Sequence, residues 1–188
     1  MTIIYLYRSL AAFGGGERIF IDTANYLAEH YGYHVYIITW EQGGHSIVYP
    51  LSPKVTHVDW GILFYRQYQY GLFKRMFMQW KMEKEFFKNL SNFVHTTQAD
   101  IVIGASCEFT TMAGMDLLQR KTHTILETHS MRTSIEKNNP PAGNLLMRWA
   151  FKRRDKQLHQ YIKHMSAFVT LTHNDAKDWS DITPQARI

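Results

Sequence analysis

The chain has 188 residues, 45% of them hydrophobic and 20% charged, a composition that excludes intrinsic disorder. No apolar run reaches the roughly 18 residues of a membrane span, and Met1 to Arg8 lack the basic and long apolar regions of a secretion signal. The net charge of +5 favours an anionic partner, whether phosphate ester, anionic lipid or nucleic acid.

Residues 2–7 are a short apolar run that reads as a first strand and leads into Gly14-Gly15-Gly16. From Glu17 the period changes. Ile19, Phe20, Thr23, Ala24, Leu27 and Ala28 fall on one helical face, and Gly32 closes that helix. His34 to Trp40 is a second strand, rich in β-branched and aromatic residues. Pro50 and Pro53 bracket a loop before a weak strand at Val55 to Val58.

A helix is predicted over about 72–95. Phe73, Met76, Phe77, Trp80 and Phe87 read as its core stripe, while Met78, Met82 and Phe86 form a second apolar stripe that wants a partner. Lys74, Lys81 and Lys88 share another face. Two accounts stand: a helix wedged between the sheet and another helix, or a basic-aromatic surface resting on anionic lipid. Ile101 to Gly104 is the next strand, with a short helix at about 110–119 after it, then a strand at Thr122 to Glu127. A helix at about 144–164 carries Arg148, Lys152, Arg153, Arg154, Lys156 and Lys163 against Asp155. Ala167 to Leu171 is the last strand, and Thr172 N-caps a final helix with Asp175 at its third position.

Apolar strands joined by helical crossovers predict one doubly wound, mostly parallel α/β sheet of about six strands, Rossmann-like, covered on both faces. Ligands of such sheets bind beyond the carboxyl ends of the strands. The segments to inspect are therefore Ser9 to Arg18, Glu41 to His45, Ala105 to Glu108, Thr128 to Ser130 and Thr172 to Asn174.

Three glycines opening a helix allow close backbone approach to a ligand, with the first N–H groups aimed at an anion; the competing reading is a tight turn. The dinucleotide fingerprint fails because its third glycine would fall at Ile19, which leaves Glu41 weak as a ribose-binding acid. No Gly-Lys-Ser/Thr loop exists for ATP. The single cysteine, Cys107, cannot form an internal disulfide and reads as a small buried residue. With no export signal this points to the reducing cytoplasm, where the sequon Asn89-Leu90-Ser91 stays unmodified. No nucleic-acid module fits the strand-helix order.

Phe13-Gly14-Gly15-Gly16-Glu17-Arg18 resembles the Gly-Gly-x-Glu-Arg motif of the retaining family 4 glycosyltransferases, which are two-lobed GT-B enzymes. Glu127-Thr128-His129-Ser130 is similar to their His-containing turn after the fifth strand. Val169 to Trp179 resembles their strand-Thr-x-x-Asp-x-x-x-Trp segment.

The resemblance covers residues 1–188 as an N-terminal, acceptor-side lobe, and implies that a C-terminal donor-binding lobe lies outside this sequence. It implies that Gly14, Gly15 and Gly16 lie near the donor diphosphate and the acceptor, and that His129 faces the reacting sugar. Arg18, Ser106, Glu127 and Thr172 are further candidates for substrate binding. From the residues alone, Arg18 serves equally to pair with a neighbouring carboxylate, and His129 reads equally as a polar loop histidine. The implied reaction is sugar transfer, with retention, from a nucleotide sugar to a glycan or lipid-linked acceptor, with no metal and no cofactor besides the donor. The resemblance also implies work in polysaccharide biosynthesis, peripheral on the inner face of a membrane. The competing reading is a binding module for phosphorylated or lipid-linked sugars that docks to a separate donor-binding chain.

Overall fold

A computed structural model describes residues 1–105, 108–118, 122–128, 145–180 and 182, with the backbone alone for 145–151. Six strands, β1 (Thr2–Leu6), β2 (His34–Thr39), β3 (Val55–Asp59), β4 (Ile101–Gly104), β5 (His123–Thr128) and β6 (Ala167–Thr170), form one all-parallel sheet. Their order is β3-β2-β1-β4-β5-β6, the doubly wound arrangement expected from the sequence. Burial follows position in the sheet. Central β1 and β4 are buried at every residue after the first, whereas edge strand β6 alternates.

The chain divides into two compact units, Met1–Val102 and Ile103–Ile188. In the first, β1 pairs with β2 from Thr2↔His34 to Leu6↔Ile38, and β2 with β3 from Val35↔Val55 to Thr39↔Asp59. Helix α1 (Gly15–His30) buries Phe20, Ile21, Ala24 and Ala28, with Phe20 edge-on to Tyr5 at 4.9 Å. Ile19 and Thr23, expected on that face, are exposed, and Ile21 takes the inward place. Gly32 at φ +65° turns the chain out of α1, and the Tyr33 N–H bonds the Leu27 carbonyl at 3.3 Å.

Helix α2 (Leu72–Thr97) corrects the sequence reading of its faces. Its C-terminal half is fixed by Phe86, Leu90 and Val94, all buried. Phe86 sits edge-on to Trp40 at 5.1 Å and to Trp60 at 5.4 Å, and Phe93 to Tyr36 at 5.4 Å. Stepping back from Phe86 by one helical turn at a time reaches Met82 and Met78, both part-buried. The second stripe is therefore the inward one. Phe73, Met76, Phe77 and Trp80, expected in the core, are exposed. A short 3-10 helix at Phe64–Gln69, absent from the sequence reading, precedes α2.

In the second unit, β5 pairs with β6 from Ile125↔Ala167 to Thr128↔Thr170. Helix α3 (Phe109–Asp116) meets α4 (Leu145–His164) through Phe109 and Tyr161, ring centroids 5.6 Å apart, and through Asp116 and His164 Nδ1 at 2.8 Å. Gly104 is closely packed there: a Cβ would lie 2.6 Å from Met115 Sδ, so the buried Met115 side chain would have to move. Helix α5 (His173–Trp179) packs Trp179 against Phe168 at 5.2 Å.

Candidate functional site

In the first unit, the segment beyond β1 is held by groups from the connection between β2 and β3, which Asp59 at the end of β3 braces in turn. Gln42, 3% exposed, is the hub. Its Oε1 accepts from the Leu10 N–H at 2.7 Å and the Ser9 hydroxyl at 3.2 Å, while its Nε2 donates to the His45 carbonyl at 2.9 Å. Asp59 in turn accepts from the backbone N–H of Gly43 at 3.1 Å and from the Thr39 hydroxyl at 3.0 Å. Because the Thr39 hydroxyl donates its one hydrogen to Asp59, it accepts from His57 Nε2 at 2.9 Å, which requires the tautomer with hydrogen on that nitrogen. Burial lowers the pKa of His57, opposed by the nearby Asp59 carboxylate.

Glu41 is committed to structure. One carboxylate oxygen accepts from Arg8 Nε and the other from the Tyr65 N–H at 3.1 Å, which pins the 3-10 helix. These contacts match a structural role better than ribose recognition.

The glycine loop itself is fixed at Gly14, whose carbonyl accepts from the Tyr49 hydroxyl at 3.2 Å and from the Arg18 N–H at 3.2 Å. Phe13, 81% exposed, stands edge-on to Tyr49 at 5.8 Å. Gly14 is the N-cap of α1 and supplies no side-chain acceptor to the first N–H groups, which point outward along the axis as in any helix. The Glu17 side chain folds back over Gly14 and would meet a Cβ placed there.

The other two glycines differ. A Cβ on Gly15 would meet nothing within 4 Å, and one on Gly16 only the Tyr7 hydroxyl at 3.6 Å, an ordinary contact. Neither has the positive φ that would require glycine. Packing and backbone conformation thus leave both unexplained.

Arg18 pairs with Asp22 one turn on, at 3.6 Å, with both side chains mostly exposed. In the second unit, part-buried Glu127 lies opposite Val169 in the β5–β6 register. Thr172 follows β6 as the N-cap of α5: its hydroxyl accepts from the Asp175 N–H at 3.1 Å and donates to the Asp175 carboxylate at 2.7 Å. The Thr-x-x-Asp-x-x-x-Trp pattern thereby gains a folding role as cap, third-position partner and buried aromatic. Ser106, Cys107 and His129 lie outside the described residues. Among the described residues, no three His, Cys, Asp or Glu side chains group as a metal site.

Sequence reasoning missed Asp59 and Tyr49, and marked Gln42 only as one residue of the Glu41 to His45 segment. Their only signal was position just beyond a strand or just before Pro50, which does not separate a loop clamp from ordinary surface.

Among solved structures, a sucrose-phosphate synthase from Thermosynechococcus elongatus matches 100% of this chain and 46% of its own, with TM-score 0.63 and 11% identity. TcCGT1, solved in complex with UDP, matches over 98% of this chain and 45% of its own, with TM-score 0.57 and 11% identity. The fold is that of a GT-B Rossmann-like lobe. The chain spans less than half the length of these structures. No protein-family model matches it, and no curated protein matches its sequence.

Proposed function

We propose that the chain is the N-terminal, acceptor-side lobe of a retaining family 4 glycosyltransferase that moves a sugar from a nucleotide sugar to a glycan or lipid-linked acceptor. The observation that carries this reading is the pair Gly15 and Gly16: glycines that neither packing nor backbone conformation requires, at the exposed start of a helix beyond a central strand. A diphosphate or a sugar hydroxyl needs such close backbone approach, and the outward N–H groups favour negative charge.

In the reaction, the bond between the donor sugar and its phosphate breaks, the acceptor hydroxyl oxygen bonds to the same carbon with retained configuration, and the hydroxyl proton passes to the departing diphosphate. Charge grows on the departing diphosphate, and preorganised N–H donors near it lower the barrier. The Gln42, Asp59 and Tyr49 contacts hold the loop before substrate arrives, so less ordering is left to binding. Arg18 sits one turn into α1, where an exposed guanidinium can exchange Asp22 for a phosphate oxygen. His129, by resemblance, faces the sugar. A donor lobe supplies the rest of the site, so residues 1–188 alone are expected to be inactive.

The test is release of nucleoside diphosphate from a panel of UDP- and GDP-sugars by the natural polypeptide, with product anomers assigned by NMR. Release with a retained anomer is expected. Absence of release across the panel counts against transfer, and an inverted product counts against family 4.

A further inference from the structure

We propose that the first three turns of α2 form a membrane-docking face that lies in the interface of an anionic lipid bilayer. Leu72, Phe73, Met76, Phe77 and Trp80 are between 56% and 87% exposed. Their spacing places them on one side of the helix, across an arc of roughly 140°. The inward side of the same turns is already supplied by Met78 and Met82. The helix therefore has two apolar faces, one against its own unit and one open.

Charge decides the occupant. Residues 62–95 hold Arg66, Lys74, Arg75, Lys81, Lys84 and Lys88 against only Glu83 and Glu85. By helical position Lys74 and Lys81 border one edge of the open stripe, beside Phe77. Aromatic rings support these cations near the same surface: Lys74 Nζ lies 4.1 Å from the Tyr70 ring centroid, Arg75 4.1 Å from that of Tyr68, and Lys84 5.2 Å from that of Trp80.

An apolar stripe with a cationic edge at Lys74 and Lys81, preceded by Tyr68 and Tyr70, matches the layers of a membrane interface. Acyl chains receive the stripe and anionic headgroups the lysine edge. No helix among the described residues is long and apolar enough to cross a membrane, so the contact proposed is in-plane. The inference does not rest on sugar transfer, since it reads lipid binding without donor or acceptor.

The test is co-sedimentation of the purified chain with phosphatidylcholine vesicles, with and without phosphatidylglycerol. Binding is expected to require the anionic lipid, to weaken roughly 5-fold for each charge removed in Lys74→Gln and Lys81→Gln, and to vanish in Phe73→Asp/Phe77→Asp. Circular dichroism establishes that the aspartate variant is folded. Should it not fold, a vesicle-induced blue shift of tryptophan emission, lost in Trp80→Phe, carries the same conclusion. Equal absence of binding to both vesicles would overturn the proposal. So would binding that the lysine and aromatic variants leave unchanged, or lipid-free self-association that they abolish in a chain that ignores vesicles.

Discussion

The side-chain oxygen of Gln42 accepts the backbone N–H of Leu10 across 32 residues of sequence, at 2.7 Å and out of contact with water. This one amide joins the segment beyond β2 to the segment beyond β1, and so holds the approach to the glycine loop. Gln42→Leu leaves a buried N–H unpaired. Urea unfolding is expected to show a loss of about 1–3 kcal/mol, with faster hydrogen exchange at Leu10.

Gly104 and Gly15 make opposite demands. Gly104→Ala drives a methyl into Met115 Sδ, and overpacking of this kind costs about 1–3 kcal/mol. Gly15→Ala meets open space in a helical first turn, and is expected to leave the melting temperature unchanged or raise it. Thermal denaturation of the two variants side by side checks both signs.

The two faces of α2 can be separated the same way. Phe86→Ala removes a ring enclosed by Trp40, Trp60 and Phe64 and is expected to cost about 3–5 kcal/mol. Phe73→Ala, at 87% exposure, is expected to change stability by no more than about 0.5 kcal/mol. Denaturant titration would show the reverse order if the sequence reading of the stripes were right.

His57 links stability to pH. Burial lowers its folded pKa below 6.5, so in the window beneath that value the unfolded chain binds more protons than the folded one. The contribution of His57 is complete above the unfolded pKa and is lost as pH falls through the folded one. His57→Gln is expected to flatten the acid-side decline of stability, measured by urea midpoints across that range. An unchanged slope would remove His57 as its source.

The sheet was legible because its strands are short apolar runs bounded by turn chemistry, and all six lie where their periodicity put them. Gly32 as the end of α1 and Thr172 as the cap of α5 followed from backbone requirements that are local in sequence. The faces of α2 were not legible. Its two apolar stripes are equally good locally, and the choice is made by Trp40 and Trp60, far away along the chain. The loop clamp was hidden for the same reason: Gln42 and Asp59 are ordinary polar residues until parallel pairing sets Thr39 opposite Asp59. The glycine motif was visible, but the open space around Gly15 and Gly16, on which the proposed ligand loop rests, was not.

That separation gives the most direct measurement: nucleoside diphosphate release by the natural polypeptide carrying Gly15→Ala or Gly15→Leu, read together with its melting temperature. A side chain that keeps substrate out is expected to lower kcat/KM progressively from alanine to leucine, toward roughly 100-fold, while the fold stays as stable as before. Full activity in a stable Gly15→Leu variant would contradict the account.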